Sequence, residues 1–188
     1  MSNPAPRPGL RERVAAAIVE AAAAVLAEHG DGASMSDVAG AAGVARATLY
    51  RYFPNREALL EALGSAAIEE AGRGLAAARL DEVAIEEAFT RAVRALVVVG
   101  DYFVVLARER ATVAPEEFDQ RVGGVLRALI ERGRSLGEIR EDVPVGWLVE
   151  ALIGVIVSVL GGASSAGVED KVDAITSLFL DGARRTSA

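Results

Sequence analysis

The sequence predicts an all-α fold in two parts, a short N-terminal unit of three helices and a larger C-terminal helical body. Three observations carry this. Apolar residues recur at three- and four-residue spacing almost throughout, and no stretch shows the strict alternation of a half-buried strand. Between Ser34 and Leu60 the run SMSDVAGAAGVARATLYRYFPNREALL reads as two short helices joined by a glycine turn, then the start of a third. The 188 residues are 52% hydrophobic with a mean hydropathy of +0.29, enough to bury a core as one or two domains and too apolar for disorder.

Taken in order, residues 1–10, MSNPAPRPGL, are proline-rich, lack the apolar stretch of a signal peptide and predict a disordered arm. A first helix follows and closes at Gly30. Ser34 with Asp37 three residues on predicts a capped start for the second helix, because the hydroxyl satisfies a free N–H and the carboxylate suits the positive helix end. Val38, Ala39 and Ala42 point inward, and Gly43 occupies the position where φ is usually positive. Set as the ninth residue of a twenty-residue helix-turn-helix, Gly43 puts Ala39 at the helix crossing, where little side-chain room exists. Val44, Leu49 and one side of Tyr52 and Phe53 are then buried, and Ala45, Arg46, Ala47, Tyr50 and Arg51 face outward. Pro54-Asn55 stops this helix and caps the next.

That outer face carries arginines, a threonine and a tyrosine, with no carboxylate between Val44 and Asn55. Such a surface suits a helix presented to the major groove of duplex DNA. Arg46 and Arg51 are candidates for guanine or phosphate contact. Thr48, Tyr50, Tyr52 and Arg56 are candidates for positioning on the backbone, with Arg56 reaching a phosphate from the start of the next helix. The net charge of −7 looks wrong for this role, yet residues 1–60 hold six arginines and six carboxylates, so the whole deficit lies beyond residue 60. A neutral module has modest nonspecific affinity, so a pair of such helices reading a roughly palindromic site is expected.

The remaining chain reads as helices. One runs over 57–79, with Gly72 and Gly74 weakening its far end. The next, capped by Asp81, passes through Phe89 and Val93 to a break at Gly100-Asp101. Others cover 102–110, a stretch opened by Pro115, 145–160 after Val143-Pro144, and 168–183 with Val172, Ile175, Leu178 and Phe179 inward. Residues 151–168 are uncharged, but only the first ten are strongly apolar, so a buried helix is expected rather than a membrane span. Its small stripe Ala151, Gly154, Ser158 and Gly161 would let another helix approach closely.

Cysteine is absent, which excludes disulfides and thiolate sites and suits the cytoplasm. His29 is the single histidine and closes the first helix, so neither a metal nor a Ser/His/Asp set is expected. With no phosphate loop or dinucleotide fingerprint either, an enzyme is not predicted and no cofactor is expected.

GVARATLYRYFPNREALL resembles the signature of the tetracycline-repressor (TetR) family of transcriptional regulators, and AAAIVEAAAAVLAEHG, Ala15 to Gly30, resembles that family's first helix. The resemblance covers about residues 11–63. Ala45 departs from it, standing where the family often has a capping Ser or Thr. The resemblance implies a DNA-binding helix-turn-helix domain at 11–56, a helical ligand-binding and dimerisation domain at 57–188, and a homodimer acting on double-stranded DNA, with no membrane partner. It further implies a pocket for an apolar small-molecule effector, with Phe89, Val93, Tyr102, Phe103, Leu106, Phe118, Leu126 and Trp147 as candidate lining. The last two helices would form a four-helix dimer interface, with Ala151, Gly154, Ser158, Val172, Ile175 and Phe179 as its candidates.

Overall fold

The computed structural model describes residues 9–109, 111, 114–162 and 166–184. Residues 1–8 of the expected 1–10 arm, with Arg7, and residues 163–165 of the expected loop lie outside these. Among the described residues ten α-helices follow one another: α1 (Leu10–His29), α2 (Met35–Ala41), α3 (Arg46–Tyr52), α4 (Arg56–Ala77), α5 (Ile85–Val98), α6 (Gly100–Arg108), α7 (Pro115–Phe118), α8 (Gly124–Ser135), α9 (Val145–Gly161) and α10 (Val168–Ala183). A π-helical turn, Asp119–Gly123, joins α7 to α8. The only strand-like pairing among the described residues is an isolated bridge between Ile139 and Arg184.

The helix boundaries follow from local chemistry. In the Ser34–Asp37 box the Asp37 N–H donates to Ser34 Oγ at 3.3 Å, and the Ser34 N–H donates to Asp37 Oδ2 at 2.8 Å. At the other end of α2, Gly43 takes φ +66°, its N–H donates to the Gly40 carbonyl at 3.1 Å, and the Val44 N–H donates to the Ala39 carbonyl at 3.0 Å. Those paired bonds are a Schellman stop, which satisfies the carbonyls the helix would leave open. Asn55 Oδ1 accepts from the Ala58 N–H at 2.8 Å and starts α4. Asp81, expected to cap α5, lies instead in a 3₁₀ turn, Leu80–Glu82; Ala84 occupies the cap position and supplies no side-chain bond.

Two apolar clusters form. The N-terminal one gathers Ile18, Ala22, Leu26, Val38, Ala39 and Leu49 with Leu59, Leu63 and Ala67 of α4 and Val105 and Leu106 of α6. The C-terminal one takes the second half of α4 (Ala71, Leu75) with α5, α8, α9 and α10, where the Phe89 and Phe179 rings lie 5.3 Å apart. Gly72 and Gly74 do more than weaken α4. A Cβ on Gly72 would lie 3.0 Å from Arg121 Cβ, and one on Gly74 3.2 Å from Ala95 Cβ, so the missing side chains let the π turn and α5 close onto α4. No helix among the described residues is long and apolar enough to cross a membrane.

Candidate nucleic-acid interface

The Gly43 stop turns the chain so that α3 leaves α2 with one side on the core and one in solvent. Leu49 is wholly buried at that contact, while Ala45, Arg46, Ala47, Tyr50 and Arg51 are exposed. Tyr50 is 42% exposed, with its ring at the surface of this face. Thr48 and Tyr52 are half-buried at the edges of this face. Ala45 stands at the N-cap of α3 and its side chain offers no acceptor; only its carbonyl is engaged, by Thr48 N–H at 2.8 Å and Leu49 N–H at 3.0 Å.

Two guanidinium groups flank Tyr52, Arg51 at 5.7 Å from the ring centroid and Arg11 at 6.0 Å. Arg11 sits in the first turn of α1 and brings a further positive charge to the α3 side. The sequence reading missed it, because an arginine at the start of a helix signals nothing until the fold lays it beside α3.

Arg56 departs from expectation. Its guanidinium does not project outward: Nε donates to Glu109 Oε2 at 3.1 Å, Nη2 donates to Glu109 Oε1, and Nη1 donates to the Ala33 carbonyl at 2.8 Å. Glu109 follows the end of α6 and its side chain is only 15% exposed. A fork-shaped guanidinium matched to a sheltered carboxylate is a strong intramolecular contact, and it wins over a projection into solvent. Next to it, Arg108 Nη1 donates to the Ala27 carbonyl at 2.9 Å. The end of α6 thus grips both α1 and the start of α4.

The residues expected to line a ligand pocket do not converge. Phe89, Val93 and Leu126 are wholly buried within the C-terminal core, and Leu106 belongs to the N-terminal one. Half-buried Phe103 packs on the C-terminal core. Tyr102 borders a cleft of about 1010 Å3 between α1, α4 and the α5–α6 junction, where burial and the carboxylates of Glu20, Glu70 and Asp101 push its phenol upward from 10. Phe118 borders a separate groove of about 470 Å3 along α9. Trp147 is 66% exposed in the first turn of α9, apart from both of these.

The interface candidates divide. Ala151, Gly154 and Ser158 form an exposed line on α9 below Trp147. Val172, Ile175 and Phe179 are 0%, 0% and 5% exposed and pack into the chain's own core, which sets the rotation of α10 and leaves them nothing to offer a partner. Leu178, expected inward, is 63% exposed, and Val168 is 52% exposed.

The profile of bacterial regulatory proteins of the tetR family matches residues 18–63. The HTH-type transcriptional repressor LfrR of Mycolicibacterium smegmatis is 31% identical over 147 residues, 78% of this chain and 77% of that protein. The crystal structure of LfrR from Mycobacterium smegmatis in complex with proflavine superposes with a TM-score of 0.79 at 27% identity, over 93% of this chain and 98% of the other. The TetR family regulator PfmR from Thermus thermophilus shares the fold, with a TM-score of 0.66 at 24% identity over 87% of this chain and 97% of its own. The exposed α3 face, its glycine-stopped neighbour α2 and this kinship together identify the chain as a member of the TetR family of DNA-binding transcriptional regulators.

Proposed function

We propose that this chain is a repressor that binds an approximately palindromic operator as a homodimer and leaves it when a small molecule binds. The observation that carries the reading is the solvent-facing side of α3, with Arg46, Tyr50 and Arg51 exposed and no carboxylate among them. Arg46 and Arg51 read guanine edges or hold phosphates. Ala45, Ala47, Thr48, Tyr50 and Tyr52 set the helix against the backbone, with Arg11 and Arg51 stacked on Tyr52.

One such helix offers few base contacts, so two must act together. The exposed line Trp147, Ala151, Gly154 and Ser158 on α9, together with exposed Leu178 on α10, supports pairing of two chains along these helices. The complex of LfrR with proflavine supports a small-molecule effector. The Arg56–Glu109 pair and the Arg108–Ala27 bond give movements of α6 a direct path to the DNA-binding helices. The ligand acts only through its affinity difference between the two states.

Selection of bound sequences from a random duplex pool tests the reading. An enriched palindrome whose half-sites lie about one helical turn apart is expected. Recovery of no enriched motif, or of a single unpaired half-site, overturns it. Sedimentation of the free chain should give a dimer, and Leu178→Glu should split it.

A further inference from the structure

We infer that the groove between the end of α4, the turn after it and α8 binds a small amphiphilic anion, a carboxylate carrying an apolar body. The groove has a volume of about 380 Å3, within the usual range of roughly 300–1,000 Å3 for small-molecule sites. Its walls are aliphatic: Leu75 and Ala76 from α4, Leu80 from the turn, and Val125, Ala128 and Leu129 from α8. Arg79, Asp81 and Arg132 supply its charged groups.

Arg132 decides the sign of the ligand. Among the described residues Arg56, Arg91, Arg94, Arg127, Arg134 and Arg140 are half-buried and each pairs with a carboxylate. Arg132 is also half-buried and pairs with none. Nη1 donates to the Leu80 carbonyl at 2.6 Å and Nη2 to the Val83 carbonyl at 3.0 Å, whereas the buried Nε has no acceptor. A guanidinium has five N–H donors, and these two bonds use two of them. Carbonyl dipoles anchor the group without cancelling its charge, and a sheltered cation without a counter-ion is costly.

The other charged groups leave that cation uncompensated. Arg79 is neutralised by Glu82, to which its Nε donates at 2.7 Å. Arg79 is also the only non-glycine residue with positive φ among the described residues, at +51°, and this bend leads into the turn whose Leu80 and Val83 carbonyls meet Arg132. Asp81 is exposed and makes no ion pair with Arg132, so solvent screens its opposition. An aliphatic trough beside an unmatched guanidinium fits a fatty-acid-like molecule, with the carboxylate against Arg132 and the chain along α8.

The site uses none of the residues assigned to DNA contact, so its test stands apart from the operator reading. Isothermal titration of the full chain with octanoate, and separately with octylamine, reads the preference directly. Octanoate should bind in a one-to-one ratio, and octylamine at least about tenfold more weakly, given the strength of hydrogen bonds to charged groups. Arg132→Gln should weaken octanoate by a similar factor. Because that change removes bonds to the turn, Ala128→Phe serves as a second variant: Ala128 is exposed, and a ring there fills the groove while leaving Arg132 in place. It should abolish octanoate binding with unchanged circular dichroism. Asp81→Asn should tighten it. The inference fails if octylamine binds as well as octanoate, if octanoate gives no saturable heat, or if Ala128→Phe binds it like the parent chain.

Discussion

The two cores of this molecule are built differently. The N-terminal cluster takes five of its fifteen buried residues as alanine, Ala22, Ala23, Ala33, Ala39 and Ala67. The C-terminal cluster is dominated by Leu, Ile, Val and Phe and contains an aromatic pair. Less apolar area per residue means less stabilisation at about 25 cal/mol per Å2. The N-terminal unit compensates by borrowing Leu59, Leu63 and Ala67 from α4 and Val105 and Leu106 from α6. It is therefore a DNA-binding head resting on two helices that also belong to the body.

The largest test of that sharing is truncation in each core. Leu49 and Leu126 are both wholly buried, so Leu49→Ala and Leu126→Ala should each lower the unfolding free energy by about 2–5 kcal/mol in denaturant titrations. Hydrogen exchange distinguishes them: Leu49→Ala should speed exchange in α1–α3 first, with α9 and α10 protected. Uniform acceleration would show that head and body open as one unit.

Next in size is the joint between them. Glu109→Gln removes the Glu109 charge from Arg56 and should cost about 1.5–3 kcal/mol of stability. It should also loosen Arg56 toward DNA, steepening the dependence of log affinity on log salt by about 0.9, the amount for one more phosphate contact. An unchanged slope would confine Arg56 to the joint. On the head's own surface, Arg46→Ala should weaken operator binding by about 1–3 kcal/mol in fluorescence anisotropy and nonspecific binding by much less. Equal losses on both DNAs would make Arg46 a phosphate contact rather than a base reader.

The same contrast explains what the sequence made legible. The helix-turn-helix rests on chemistry within a few residues, the Ser34–Asp37 cap, Gly43 and Pro54-Asn55, and each stands in the structure where the pattern requires it. In the body, an apolar stripe reports that something covers it but not what. Val172, Ile175 and Phe179 form such a stripe, and α5 and α9 of the same chain cover it. Trp147 is a pocket candidate through the resemblance alone, and it begins the exposed side of α9. Arg56 reads as a phosphate contact because its partner, Glu109, is distant in sequence, and nothing local to Arg132 points to the carbonyls of Leu80 and Val83.

Ala45 offers a smaller probe on the head. The structure shows no side-chain cap at the start of α3, so Ala45→Ser should supply one and raise stability by about 1 kcal/mol, measurable as a higher melting temperature. No gain would mean that the Ala45 backbone cannot bring a hydroxyl to the Ala47 or Thr48 N–H.

Acid should produce the smallest difference, and its sign is fixed. In the head, hydrogen bonds from the Ser34 hydroxyl and then the Ser34 N–H hold the Asp37 carboxyl below its usual 3.8. In the body, the Arg140 side chain pulls Asp142 down to about 2, and Arg94 lowers Glu169. A carboxyl whose pKa is lower folded than unfolded adds stability above the unfolded value and loses it as pH falls through the folded one. Stability should therefore be level from neutrality to about pH 4.5 and decline from there toward pH 2. Asp37→Asn should flatten only the part of the decline that hydrogen exchange assigns to α2, and Asp142→Asn only the part near α8 and α9. All three carboxylates are solvent-exposed, so added salt should shrink the body's share, which rests on arginine pairs, more than the head's, which rests on neutral hydrogen bonds.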